Sequence, residues 1–257
     1  MKKELSIQAW TVRRLMNNQA EIADTFQKLA SYGYTGVQTA GAFNCTLEEY
    51  AAAAKAAGLK IVGTHIGFDV LENPEEAARV HGILGTTHAG IGGMSSLWAE
   101  GATLKTTYET VERINRAAEG LAKYGLKFTY HHHAQEFAKV GGEMIMDVLV
   151  RDLDPKNVSF VLDTCWLQQG GVNILEWLEK LAGRVDILHL KDRCITFGTG
   201  NGIYTELGNG TINFKDVIRV ANDIGVQEFC YEQDGNFTVD PLESSKQSAQ
   251  YFFSLLD

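Results

Sequence analysis

Residues 120–133 read GLAKYGLKFTYHHH. A helical stretch runs to Tyr124, Gly125 breaks it, and an aromatic and β-branched run leads into three histidines. Glycine suits the left-handed position that closes a helix, and the short apolar run after it suits a buried parallel strand. The pattern returns at Gly33 (KLASYGYTGVQ, 28–38), Gly58 (AAAAKAAGLKIVGTH, 51–65) and Gly225 (VANDIGVQEFCYE, 220–232), with a weaker instance around Gly85. Filling the intervals predicts strands near 5–10, 35–39, 60–65, 86–91, 126–131, 158–163, 185–190 and 228–232. Helices are expected near 18–32, 46–57, 74–84, 105–124, 142–151, 173–182, 213–224 and 242–256. Thr46-Leu-Glu-Glu49 fits a capping box, and Pro74 follows Asn73 in the order cap, then proline.

Strict alternation of strands and helices means a parallel sheet. Eight such units in 257 residues favour a closed (β/α)8 TIM barrel over an open doubly wound sheet. No GxGxxG follows the first strand and no GxxxxGK[ST] occurs, which removes the common nucleotide-binding designs. The composition shows no break, so a single TIM-barrel domain over 1–257 is expected.

Lys and Arg number 23 against 32 Asp and Glu, a formal charge of -9. Such an excess of acids argues against a nucleic-acid partner and against an anionic membrane surface. It does not exclude an anionic small molecule, which needs only a local positive group. The opening MKKELSIQAWTVRR is broken by Glu4, Gln8 and Arg13 before a signal-peptide core forms, and no eighteen apolar residues run together. Cys45, Cys165, Cys194 and Cys230 are widely spaced and form no CxxC, so a reduced, cytoplasmic setting is expected.

The chemistry is read from strand ends. In a barrel the C-terminal ends of the strands face the active site. KFTYHHH ends in His131, His132 and His133, VSFVLD in Asp163, VDILHLKD in His189, Lys191 and Asp192, and EFCYEQD in Glu232 and Asp234. A charge closing an apolar strand is costly to desolvate unless something pairs with it, and four such ends at one pole are most simply paired by a metal ion. Strand alternation puts His131 and His133 on one face and His132 on the other. The inward ring is then His131 or His133 with Asp163, His189 and Glu232. Two imidazoles and two carboxylates suit one divalent ion, Mn, Co, Zn or Fe(II) ahead of Mg. Taken singly, Asp163 also reads as a helix cap, His189 as a core histidine and Glu232 as a loop acid.

These motifs resemble the xylose-isomerase-like barrels called sugar phosphate isomerase/epimerase proteins, which include inosose dehydratases and ketose 3-epimerases. YHHHAQEF (130–137), LDTCW (162–166), HLKD (189–192), ELGNGTINF (206–214) and YEQD (231–234) carry the resemblance along essentially the whole chain. It implies His131, Asp163, His189 and Glu232 as metal ligands, and a carbohydrate substrate whose enediolate the metal stabilises. Two departures stand out. His131 occupies a position that is glutamate in the epimerase branch and histidine in dehydratase-like members, and Asn213 replaces a common aspartate.

The leading expectation is an isomerase or epimerase of a small keto-sugar or sugar phosphate. The alternative is a dehydratase or lyase acting on an inosose or 3-keto-glycoside, followed by a non-catalytic sugar-binding barrel. Abasic-site nucleases share the barrel but gather several zinc ions on more ligands, and seven histidines with a charge of -9 speak against them. Glu136, Glu232, His133 and Lys191 are the expected proton carriers or oxyanion partners. Lys191 is also a candidate contact for substrate, or for the carboxylates of Asp163 and Glu232. His65 is expected to meet a substrate hydroxyl, and Trp10 and Trp166 to wall the sugar. Loops 92–104 and 195–210 are expected to set specificity, and homo-oligomers are common among such barrels.

Overall fold

The computed structural model describes residues 4–42 and 44–256. Eight strands are Ser6–Gln8 (β1), Gly36–Thr39 (β2), Lys60–Thr64 (β3), His88–Ile91 (β4), Lys127–His131 (β5), Val158–Asp163 (β6), Val185–Leu190 (β7) and Glu228–Tyr231 (β8). They form one parallel sheet in the order β3-β2-β1-β8-β7-β6-β5-β4. Its two ends meet. Ile66 N donates to Gly90 O at 3.0 Å, and Gly90 N donates to the Thr64 hydroxyl at 3.1 Å. Gly90 is required at this seam, because a Cβ there would collide with the Thr64 carbonyl and the Thr129 hydroxyl. The expected (β/α)8 barrel is therefore the observed fold.

The outer ring consists of Gln19–Ser31 (α1), Leu47–Ala56 (α2), Pro74–Leu84 (α3), Leu104–Ala122 (α4), Ile145–Asp152 (α5), Ile174–Lys180 (α6), Phe214–Asp223 (α7) and Pro241–Ser254 (α8). Local chemistry starts these helices: Thr46 and Glu49 form the capping box of α2, and Asn73 caps α3 with Pro74 at its first turn. Among the described residues, no helix is long and apolar enough to cross a membrane.

Strand alternation divides the core in two. Phe128, Tyr130, Phe160, Leu162, Leu188, Leu190, Phe229 and Tyr231 face the helices in the main core. Val161, Ile187 and Cys230 form a separate buried cluster inside the barrel. Two residues further along the same strand faces come Asp163, His189 and Glu232. The apolar cluster is thus a dry floor beneath a polar ring.

Departures from the expected boundaries have local causes. β1 stops at Gln8 because its side chain accepts from Trp10 N at 3.1 Å and caps a 3-10 turn, Ala9–Leu15, across the barrel mouth. α5 begins at Ile145 rather than near 142. Gly141 and Gly142 both take positive φ and turn a small hairpin between Lys139–Val140 and Glu143–Met144. The glycine-rich stretch 195–210 is partly ordered as a second hairpin, Asp192–Ile195 against Gly202–Thr205. Asp192 secures its base by accepting from Gly208 N at 2.9 Å and Gly210 N at 3.0 Å.

Candidate metal centre

His131, Asp163, His189 and Glu232 come together at the C-terminal ends of β5, β6, β7 and β8, all buried, with one ligand atom of each within 4.8 Å of the others. His131 Nε2 lies 3.6 Å from Asp163 Oδ2, and His189 Nδ1 lies 3.7 Å from Asp163 Oδ2 and 3.0 Å from Glu232 Oε2. The structure thus selects His131 over His133 for this ring. His132 points the other way, where its Nε2 accepts from Asp163 N at 3.0 Å. Asp163 divides its carboxylate between both roles that the sequence allowed. Oδ1 caps the helix Thr164–Gln169 by accepting from Trp166 N at 3.0 Å, and Oδ2 faces the ring.

These residues fit a divalent ion. His131 Nε2 and Asp163 Oδ2 are buried without a hydrogen-bond partner, the state expected of ligand atoms turned toward a cation. The other imidazole nitrogens fix the tautomers. His131 Nδ1 lies 3.3 Å from the Gly92 carbonyl and His189 Nε2 2.6 Å from Gln38 Oε1, so each of these N–H groups donates outward and the opposite nitrogen faces the ring, where a bound ion would take the place of any proton on it. Burial pushes Asp163 and Glu232 upward, but Lys191 and the imidazoles hold both well below the usual carboxylate range. Burial also opposes charge on His189, yet Glu232 and Asp163 raise its pKa well above the ordinary imidazole value. The ring therefore favours a positive charge at its centre.

Gln38 was not singled out from the sequence, nor was Gln8, which donates to Gln38 Oε1 at 2.9 Å. Both are glutamines near the ends of early apolar strands, and the strand-end criterion applied to β1 and β2 would have found them. Replacing Gln38 by leucine removes the acceptor that orients His189. Divalent-metal affinity should fall about 10- to 100-fold. Titration against a metal indicator reads this directly, and unchanged affinity would leave Gln38 without the orienting role.

A cavity of about 410 Å³ opens over the ring, lined by Trp10, Ala40, His65, Ile66, Gly92, His131, His133, Lys191, Glu232 and Asp234. Lys191 is buried, with its ammonium 3.2 Å from Glu232, 3.7 Å from Asp163 and 2.5 Å from Asp234. It also lies 4.5 Å from the Trp166 ring centroid and 5.0 Å from that of Tyr204. The carboxylate partners read as an alternative for Lys191 are thus the ones observed, with Asp234 added. Trp166 does not line the cavity but backs His133 and Lys191. His65 does line it, stacked 5.0 Å from His131, and its ring nitrogens already lie 3.2 Å from Gln8 and 3.1 Å from Gln38. His133 packs edge-on against Trp98 with a buried, unpartnered Nδ1. Burial pushes its pKa down to about 2.

Glu136 is elsewhere. It lies fully buried in the turn after β5, accepting from the Tyr130 hydroxyl at 2.7 Å and from His133 N at 3.0 Å, and it does not line the cavity. The expectation that it exchanges protons with substrate is corrected by that position: it fastens the histidine turn from behind. Burial raises its pKa from 4.5 to about 7. The folded protein then binds more protons at Glu136 than the unfolded chain. Its contribution favours the fold below about pH 4.5 and is lost as pH rises to about 7. Glu136→Gln should therefore gain on wild type across that interval, by up to about 3 kcal/mol. Denaturant unfolding of both proteins at either end of the interval checks this, and parallel pH profiles would mean that Glu136 ionises normally.

A closed barrel with two imidazoles and two carboxylates gathered at its C-terminal pole defines a barrel built to hold a metal centre. The chain belongs to the xylose isomerase-like TIM barrel family, whose model matches residues 26–254. It is 29% identical over 157 residues to an inosose dehydratase of Geobacillus thermodenitrificans, which covers 55% of this chain and 52% of that relative. The chain spans about half the length of the curated relatives it matches. A sugar phosphate isomerase/epimerase from Parabacteroides distasonis superposes with a TM-score of 0.79 at 22% identity, covering 98% of this chain and 94% of that one. A xylose isomerase-like TIM barrel protein from Mycobacterium smegmatis in complex with magnesium superposes with a TM-score of 0.71 at 16% identity, covering 98% and 95%.

Proposed function

We propose that the protein is a divalent-metal-dependent lyase that removes water from an uncleaved keto-sugar ring of the inosose type. The observation that carries this reading is the sidedness of the cavity. Its carboxylates and ammonium, Glu232, Asp234 and Lys191, come from the ends of β7 and β8. Across the ring, the ionisable side chains from the ends of β3 and β5 are imidazoles, His65, His131 and His133. Expelling a β-hydroxyl needs a base for the carbon proton and an acid for the departing hydroxyl, and the Asp234–Lys191 pair at this edge of the cavity supplies both. The resemblance to inosose dehydratases supports the same reading.

In this reading His131, Asp163, His189 and Glu232 hold the ion. When bound, it supplies positive charge that stabilises the negative charge developing on the substrate's carbonyl oxygen. Asp234 takes the proton from the carbon beside the carbonyl. Lys191 hands a proton to the departing hydroxyl, which leaves as water, and regains one from Asp234 across their contact. His133 lines the cavity, and its imidazole, held neutral by burial, is a contact for a substrate hydroxyl. Trp10 walls the mouth.

The isomerase or epimerase reading put first by the sequence shares the early proton removal, so the product decides. The metal-loaded protein is incubated with an inosose and the products are weighed by mass spectrometry. Loss of one water is expected. A product at substrate mass would replace the lyase with an isomerase. An unaltered substrate would leave a sugar-binding barrel.

A further inference from the structure

We propose, resting on the reading of the ring as a metal centre whatever reaction it serves, that Thr64 and His81 are positioning residues for it. Their hydrogen-bonded pair sets how β3 meets β4, and that seam orients His131. Among the described residues, seven of the eight neighbouring strand pairs share a ladder, while β3 and β4 do not. There the Thr64 hydroxyl stands in for a main-chain acceptor, receiving Gly90 N at 3.1 Å beside the bond from Ile66 N to Gly90 O.

The hydroxyl's own proton has two acceptors in view. His81 Nε2 lies 2.9 Å away and the His88 carbonyl 3.5 Å, so the imidazole is the better placed. The far side of that imidazole settles its tautomer. His81 Nδ1 lies 2.7 Å from the Ala77 carbonyl, which can only accept, so Nδ1 carries the proton and Nε2 the lone pair. Both residues are buried, and burial pushes the His81 pKa down, which keeps the ring neutral. Helix α3 thereby fixes the direction of the hydroxyl that closes the sheet.

Both strands of the seam run on to His131. Thr64 is followed by His65, whose ring stacks 5.0 Å from that of His131. Gly90 lies two residues before Gly92, whose carbonyl receives His131 Nδ1 at 3.3 Å. The face and the outer nitrogen of His131 are therefore held from the two strands that no ladder joins. Sliding one against the other turns the imidazole and moves Nε2 relative to Asp163, His189 and Glu232.

The test reads binding of Co²⁺ and its ligand-field absorption in folded wild type, Thr64→Val, Thr64→Ser, His81→Leu and His81→Gln. Valine keeps the shape of threonine without the hydroxyl, and serine keeps the hydroxyl. Leucine removes the acceptor, and glutamine returns an amide oxygen near the place of Nε2. Thr64→Val should bind Co²⁺ about tenfold more weakly, the lower end of the loss for an orienting partner, with a shifted absorption band. His81→Leu should move both readings the same way, while Thr64→Ser and His81→Gln should return them to wild-type values. His81→Leu leaves the Gly90–Thr64 bond in place and carries the test should Thr64→Val not fold. A purely structural role would lower the melting temperature of Thr64→Val and His81→Leu while the folded proteins kept the wild-type affinity and spectrum. That result, or an equal loss in Thr64→Ser, would overturn the proposal and leave the metal centre standing. Wild type that takes up no Co²⁺ would remove the metal centre itself, and the proposal with it.

Discussion

His131→Ala and Glu232→Gln should each bind a divalent ion at least about 100-fold more weakly than wild type. Loss of an orienting partner behind a ligand already costs about 10- to 100-fold, and loss of the ligand itself removes one of four donors. His131 Nε2 has no other partner in the fold, and Glu232 Oε2 is the carboxylate oxygen nearest His189 Nδ1 at 3.0 Å. Metal content after dialysis against a weak chelator measures the effect. Chelation should likewise lower the melting temperature of wild type, because an ion that binds only the folded chain stabilises it by mass action. If both variants keep full occupancy, the ion binds elsewhere.

The second large effect concerns Lys191. Lys191→Met should destabilise the metal-free protein by about 3–5 kcal/mol, since it leaves three buried or half-buried carboxylates facing one another without their common cation. The methionine keeps much of the packing against Trp166 and Tyr204. A divalent ion restores positive charge to the same ring, so most of the loss should be recovered when metal is added. Denaturant unfolding with and without the ion separates the two cases. An equal loss in both would mean that Lys191 serves by filling space rather than by charge.

Much of this site was legible because period-two alternation is a local property. Val161 and Asp163 share a strand face whatever surrounds them, as do Cys230 and Glu232, so the inward set could be read before the barrel was seen. What alternation could not settle was His131 against His133, which share a face. The decision comes from depth. β5 ends at His131, whose Nδ1 is held by the Gly92 carbonyl, while His133 lies past the strand end under Trp98. Glu136 was misread for a related reason. Its distance along the chain from His131 said nothing of the turn that carries its carboxylate behind the histidines to Tyr130.

By itself the sequence determined the barrel and three strand-end residues of the ring, Asp163, His189 and Glu232, and narrowed the fourth to His131 or His133, because helix-closing glycines, strand runs and side-chain alternation act over a few neighbouring residues. Only the tertiary structure decided which partners those residues have. Gln38 on β2 meets His189 from β7, and Asp234 beyond β8 meets Lys191 beyond β7. Closure of the sheet, sealed where β3 meets β4, brings those strand ends around one pole. The identity of each acceptor, and with it the charge of the pocket, follows from distances across the barrel that no local pattern encodes.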